Sequence, residues 1–312
     1  MTVVITGATG TVGREVARRL VSAGRPVRLL ARRAEGLRRL RGELLPAARA
    51  GVEAVPVDLG DRQGLERALR GARAVLVVTS DPLSPEHDAL LVAAANREST
   101  AAARRRDGTR GGERPDGTGG AVHLVKLSAL AVTDPYADDL LTRWQRENED
   151  RVRESGLPWT LLRPRAFMSN TLSWAPGIRD ERTVRAYGGQ ARNACVDPRD
   201  IAEAAAAALG DPAHHGRTHH LTGPEALSAA EQTEQLGRLL DTGLTLVELS
   251  RAQAEAALRA RWPEPVAVAL LASAERLRAG SKAGTEPGVA RATGRVPTSF
   301  AQWAADHRTA FA

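Results

Sequence analysis

The chain has 312 residues, with 44 Lys or Arg against 37 Asp or Glu and a formal charge of +7. Its 42% of hydrophobic residues can build a sizeable core, and its arginines lie scattered among acidic neighbours, a pattern that argues against a nucleic-acid partner. No apolar run reaches the roughly 20 residues of a membrane span, and the single cysteine, Cys195, rules out an internal disulfide and suits a reducing, cytoplasmic compartment.

A short β-branched strand is expected over Thr2 to Thr6, too near the start to leave room for a signal peptide. Val12, Val16 and Leu20 then fall on one face of a helix that Gly24 ends. Strands over Val27 to Ala31, Val52 to Val57 and Ala74 to Thr79 alternate with helices from about Ala34 to Ala48 and from Arg62 to Arg70, the latter capped by Asp61. The apolar strands lack polar alternation, as in a parallel sheet buried on both faces. A helix over Glu86 to Asn96 follows. Residues Arg97 to Gly120 carry three consecutive arginines, many glycines and Pro115 without apolar periodicity, and are expected to be a flexible insertion. The strand Ala121 to Ser128, a helix from about Asp138 to Ser155 and the strand Trp159 to Arg163 complete a Rossmann core over 1–163. Asp197-Pro198-Arg199-Asp200 reads as a helix start. The segment 164–312 is expected to form a smaller, mostly helical, substrate-binding lobe, with some segments returning to the core and strands near His219 to Thr222 and Leu244 to Glu248. The fold class is therefore α/β, an extended Rossmann fold with a doubly wound parallel sheet.

Gly7-Ala8-Thr9-Gly10-Thr11-Val12-Gly13 lies between a strand and an amphipathic helix, the context that gives a glycine triplet meaning. Gly7 permits the turn, Gly10 admits a pyrophosphate, and Gly13 lets the helix pack on the sheet. The helix N-terminus offers N–H groups and its positive dipole end. Where NAD sites carry an acid after the second strand, this chain has Arg32 and Arg33, suited to the 2′-phosphate of NADPH. Arg28, inside the strand, is less able to reach. Asp58 is placed for the adenine amino group and Thr79 for a ribose.

These segments, with Val125-Lys126-Leu127-Ser128-Ala129, Glu154 to Pro164, Val196 to Ala202, Leu221-Thr222-Gly223-Pro224 and Phe300-Ala301-Gln302-Trp303, resemble the NmrA-like atypical short-chain dehydrogenases over essentially the whole chain. The resemblance implies NADPH as cofactor, contacted by Gly7, Thr9, Gly10, Thr11, Val12, Arg32, Asp58, Leu59 and Thr79, with Pro164 to Phe167 flanking the nicotinamide. It implies a reductase of a quinone, dye, imine or aromatic polyketide ketone, or a non-catalytic redox sensor that works through a protein partner. The Ala- and Arg-rich composition of a GC-rich genome points among these to a ketoreductase of antibiotic biosynthesis acting on an aromatic or polycyclic carbonyl.

The usual Tyr and Lys four residues apart are absent. Leu140 follows Tyr136, and Ala191 follows Tyr187, at that spacing. Gln145 stands where the family suggests His after Trp144, and it cannot deliver a proton, while Glu149 is retained. Ser128, at a strand end, is the candidate for holding a substrate oxygen, and Lys126 shares its side of the strand. Ser is too weak an acid to act alone, so no clear general acid is present. Cys195 has no nucleophile motif around it. His214, His215, His219 and His220 cluster without a recognised ligand pattern, and no metal is expected.

Overall fold

The computed structural model describes residues 2–48, 50–107 and 120–312. From the N-terminus run β1 (Thr2–Ile5), α1 (Thr11–Ser22), β2 (Val27–Ala31), α2 (Ala34–Leu44), β3 (Val52–Pro56) and α3 (Arg62–Ala68). Next come β4 (Ala72–Val77), α4 (Glu86–Asp107), β5 (His123–Leu127), α5 (Leu140–Arg153) and β6 (Trp159–Pro164). The chain continues through α6 (Ala175–Glu181), β7 (Thr183–Ala186), α7 (Pro198–Gly210), β8 (Arg217–Leu221), α8 (Ala229–Leu240) and β9 (Thr245–Glu248). It ends with α9 (Arg251–Arg261), α10 (Glu264–Arg278), α11 (Gly288–Thr293), α12 (Phe300–Asp306) and α13 (Arg308–Phe311).

Seven strands form one sheet in the order β3-β2-β1-β4-β5-β6-β8. All pairings from β3 to β6 are parallel, the doubly wound Rossmann arrangement. The order reverses between β1 and β4, and a crevice opens at such a point beyond the carboxyl ends of the strands. Val4, Ile5, Val75, Leu76, Leu124 and Val125 are shut off from solvent, as strands covered on both faces require. Among the described residues no helix is long and apolar enough to cross a membrane.

The chain divides into two compact units. One comprises 1–128, 146–162 and 201–219, and the other 129–145, 163–200 and 220–312. Relative to the expected bounds 1–163 and 164–312, residues 129–145 fall in the second unit and residues 201–219 in the first. Residues 201–219 join the first unit because Ile201, Ala202, Ala204, Ala205 and Ala208 of α7 are fully buried, Arg19 pairs with Glu203, and Arg25 donates to the Leu209 carbonyl. The core of the first unit gathers around Leu65, Val77, Leu91 and Leu161. That of the second gathers around Met168, Ile178, Phe300, Trp303 and Phe311.

Two elements differ from expectation. Helix α4 does not stop at Asn96 but runs to Asp107, so residues 97–107 of the expected insertion 97–120 are helical. Glu98 holds this stretch, its carboxylate accepting from the Gly71 N–H at 3.0 Å and from Arg105 at 2.5 Å. Ser99 and Thr100 bond back to the carbonyls four residues earlier. The rest of that expected insertion, 108–119, lies outside the described residues. In the second unit β7, a strand the sequence reading did not anticipate, pairs in parallel with β9.

Candidate functional site

The loop from β1 to α1 is shaped by its glycines. The Thr6 hydroxyl, fully buried, accepts from the Val78 N–H at 2.8 Å and ties the ends of β1 and β4 together. Gly7 turns with φ +58°, beside Val78. A Cβ on Gly13 would lie 2.3 Å from the Gly7 carbonyl oxygen, a clash that excludes any side chain. Gly10 is the N-cap of α1, and no side chain caps this end or places an acid in its first turn. The first-turn N–H groups and the positive end of the helix dipole are therefore available to an anion.

Beside this loop is a cavity of about 130 Å³, whose walls include Gly7, Ala31, Arg32, Leu59, Asp81 and His87. The structure thus brings Gly7, Arg32 and Leu59 of the expected set to one cavity. Arg32 is exposed, and its guanidinium makes no hydrogen bond or ion pair with a described residue. Arg28, by contrast, is spent on Glu53 and on the carbonyls of Ala68 and Arg70. Asp58 is not among the lining residues; its carboxylate accepts from the Gly60 N–H at 2.8 Å. The side chain of Val12 is buried on α1, so only its backbone can face a ligand. Thr9 and Thr11 bracket the N-cap. Asp81 carries Ser84 and the Leu83 N–H, and its role in the wall was not anticipated.

Thr79 lies two residues beyond the end of β4 rather than ending it. Its hydroxyl accepts from the Lys126 ammonium at 2.8 Å. Lys126 is fully buried, and so is its counter-ion Asp88, 2.8 Å away. Sequence reading named Lys126 without its partner. Ser128 is also buried and donates to Glu149 at 2.6 Å, while Arg153 holds the other carboxylate oxygen at 2.8 Å. With its proton committed to a carboxylate, the Ser128 hydroxyl can accept a hydrogen bond but is a poor source of one. Tyr136 borders a cavity along α10. Tyr136 is 89% exposed, and Tyr187 donates to Glu275. Gln145 keeps its side-chain oxygen buried without a hydrogen-bond partner.

The histidines of the first unit form a structural group. Thr160 donates to the His214 carbonyl at 2.7 Å, so it accepts from His123 Nε2 at 2.9 Å, which fixes that tautomer. Burial, then the neighbouring His215 and His214, push the His123 pKa down to about 3. Among the described residues no group of three or more His, Cys, Asp or Glu is arranged to hold a metal.

In the second unit, Pro164 ends β6 and Phe167 forms a parallel bridge with Val196. Between them Arg165 is half-buried. A cavity of about 590 Å³ lies along one face of α10, walled by Leu140, Pro265, Val268, Ala269 and Ala272 and bounded by Arg276. Arg276 is bound to Asp139 at 2.6 Å. Cys195 is half-buried, and desolvation pushes its thiol up to about 11.

Comparison with known proteins places this geometry. A family model described as NAD(P)H-binding matches residues 7–212, from the glycine loop through α7. A (4-alkanoyl-5-oxo-2,5-dihydrofuran-3-yl)methyl phosphate reductase of Streptomyces griseus is 50% identical over 310 residues, covering 99% of each chain. An NAD(P)H azoreductase of Xenophilus azovorans is 31% identical over 310 residues, again 99% of each. The NADPH-dependent quinone oxidoreductase of Escherichia coli, solved with NADPH, matches 98% of this chain and 99% of its own with a TM-score of 0.77. Its 21% identity makes that a likeness of fold. The glycine loop, the sheet order and these matches agree: the chain belongs to the NAD(P)H-binding, NmrA-like family and is an NAD(P)H-dependent oxidoreductase.

Proposed function

We propose that the chain reduces the ring alkene of a phosphorylated 4-alkanoyl butenolide, with NADPH as reductant. The observation that carries this reading is the 50% identity, over 99% of both chains, to the Streptomyces reductase of such a phosphate. Gly7, Thr9, Gly10, Thr11 and Val12 would hold the pyrophosphate. Arg32 would pair with the 2′-phosphate. Asp58, Leu59 and Thr79 would line the adenosine side, and Pro164 and Phe167 the nicotinamide. The reduced dinucleotide, when bound, supplies a hydride.

The chemistry of the substrate accounts for the missing acid. The ring alkene carries two carbonyl groups, the lactone and the alkanoyl ketone, on the same carbon. Hydride added to the other alkene carbon leaves an electron pair delocalised over both carbonyl oxygens. Such a 1,3-dicarbonyl enolate is a weak base, so water can protonate it without a side chain of matched pKa. An isolated ketone would instead produce an alkoxide, which calls for the Tyr and Lys this chain lacks. Ser128, donating its hydrogen bond to Glu149, then has a structural or positioning role.

Reduction with NADPH deuterated at the nicotinamide C4 tests the reading. The label is expected on the ring carbon that bears the phosphomethyl group. Label on a carbinol carbon, or turnover of a hydroxylated polycyclic ketone with none of the butenolide, would replace it with the aromatic polyketide ketoreductase. Tight NADPH binding without turnover of butenolide, ketone, quinone or imine would favour a redox sensor.

A further inference from the structure

Four segments of the second unit are stitched together by their backbones. The Val196 N–H donates to the Ala166 carbonyl at 2.9 Å, and the Ala194 N–H donates to the Lys282 carbonyl at 3.0 Å. The Arg165 N–H donates to the Leu221 carbonyl at 2.8 Å. Arg165 and Lys282 thus flank the same short stretch around Cys195. Neither makes a direct salt bridge with an acid; Glu286 and Asp134 act on Arg165, and Asp139 on Lys282, only from a longer distance. Arg165 Nε is buried without a hydrogen bond, and the guanidinium makes no hydrogen bond or ion pair with any described residue. The Lys282 ammonium donates only to the neutral Ser273 hydroxyl, at 2.6 Å, among the described residues.

A cation withdrawn from water without a directly bonded counter-ion is costly. Desolvation pulls the Arg165 pKa down. It lowers Lys282 from 10.5 to about 8, with Arg276 and Arg165 adding like-charge repulsion. Asp139, the acid facing Lys282, is already committed to Arg276 and Thr142. An entering dianion would relieve the repulsion and take the vacant donors.

We propose that Arg165 and Lys282 form the binding site for the phosphate of a phosphomonoester substrate. The assignment rests on the function proposed above and deepens it. In the butenolide phosphate a single methylene and an ester oxygen separate phosphorus from the carbon that accepts hydride. The phosphate site must therefore adjoin the nicotinamide, and Arg165 stands between Pro164 and Phe167, the pair proposed to flank it. A planar guanidinium can meet two phosphate oxygens at once, and a lysine can meet a third as a point charge.

Two measurements test the site. In the first, kcat/KM is determined for the butenolide phosphate and for its dephosphorylated alcohol. Arg165→Met and Lys282→Met should each shrink the wild-type preference for the ester by about tenfold to a hundredfold, chiefly through KM. Arg165→Lys, which keeps the charge, should restore part of it. An unchanged ester-to-alcohol ratio in both Met variants overturns the site. If wild type reduces neither compound, the proposed function fails, and the site is judged by calorimetric binding of hexyl phosphate to the protein loaded with NADP. Binding by wild type that disappears in Arg165→Met/Lys282→Met sustains the phosphate site without the butenolide. Equal binding by both proteins, or none by wild type, overturns it.

Discussion

Lys126 and Lys282 are the only lysines in the sequence, one in each unit, and their surroundings differ. Lys126 is sealed against Asp88 and Thr79, every part of it out of reach of solvent. Lys282, half-buried, has a hydroxyl where Lys126 has a carboxylate, and further cations nearby. The first arrangement sets opposite charges 2.8 Å apart and links α4 to β5, although Asp88 Oδ2 stays buried without a hydrogen bond. The second leaves charge to be neutralised from outside. The contrast separates scaffold from site by what the partner is, where burial alone would rank the two the other way round.

Breaking the closed arrangement should have the largest effect. Lys126→Met leaves the Asp88 carboxylate buried and alone, and should cost about 3–5 kcal/mol in denaturant unfolding. Adding Asp88→Leu should recover most of that loss. A single variant as stable as wild type would show that the pair holds nothing.

A third buried base, His123, sharpens the point through pH. Its folded pKa, about 3, lies below the ordinary value of 6.5. Between these values the unfolded chain binds the extra proton. Stability is therefore complete above pH 6.5 and lost as pH falls toward 3, by as much as about 4 kcal/mol from this group. His123→Gln should flatten that part of the profile, measured as unfolding free energy at pH 7 and pH 4.

At the cavity beside the glycine loop, Arg32 makes no hydrogen bond or ion pair with a described residue. Arg32→Ala should weaken NADPH by about 1.5–3 kcal/mol and NADH far less, as read by fluorescence titration. Equal losses for both cofactors would remove Arg32 from the 2′-phosphate.

The smallest expected effect lies at the open arrangement. Hexyl phosphate should bind more weakly as pH rises through about 8, by up to about tenfold per unit as Lys282 loses its proton. The groups facing Lys282 are Arg276, Arg165, Asp139 and Cys195, and the thiol keeps its proton to about 11. The phosphate is already dianionic there, its second pKa being about 6. Lys282→Met should remove the slope, and a slope that survives would point to another group.

Local signals carried much of this molecule. The β1–α1 loop was legible because Gly7, Gly10 and Gly13 answer to steric needs within a few residues. Asp61 capping α3 and Asp197 at the start of α7 are likewise short-range chemistry. What escaped depends on partners far along the chain. The later turns of α4 lack an apolar stripe and are held by Glu98 reaching Gly71. Strand β7 is four residues long and gains its meaning from β9. Arg165 is one arginine among many in sequence, and it stands out only once the fold has left its Nε buried without a hydrogen bond.

The interleaving of the two units also bears on how the chain is born. The first unit needs residues up to His219, and the second begins at Ala129. Neither can be completed before much of the other has emerged from the ribosome. Strand β6 is made well before its neighbour β8, so the sheet carries an open edge for on the order of ten seconds at ordinary elongation rates. An unpaired edge of this kind invites pairing with another nascent chain. The interval before β8 arrives is thus when the protein is most exposed to aggregation and most in need of chaperones.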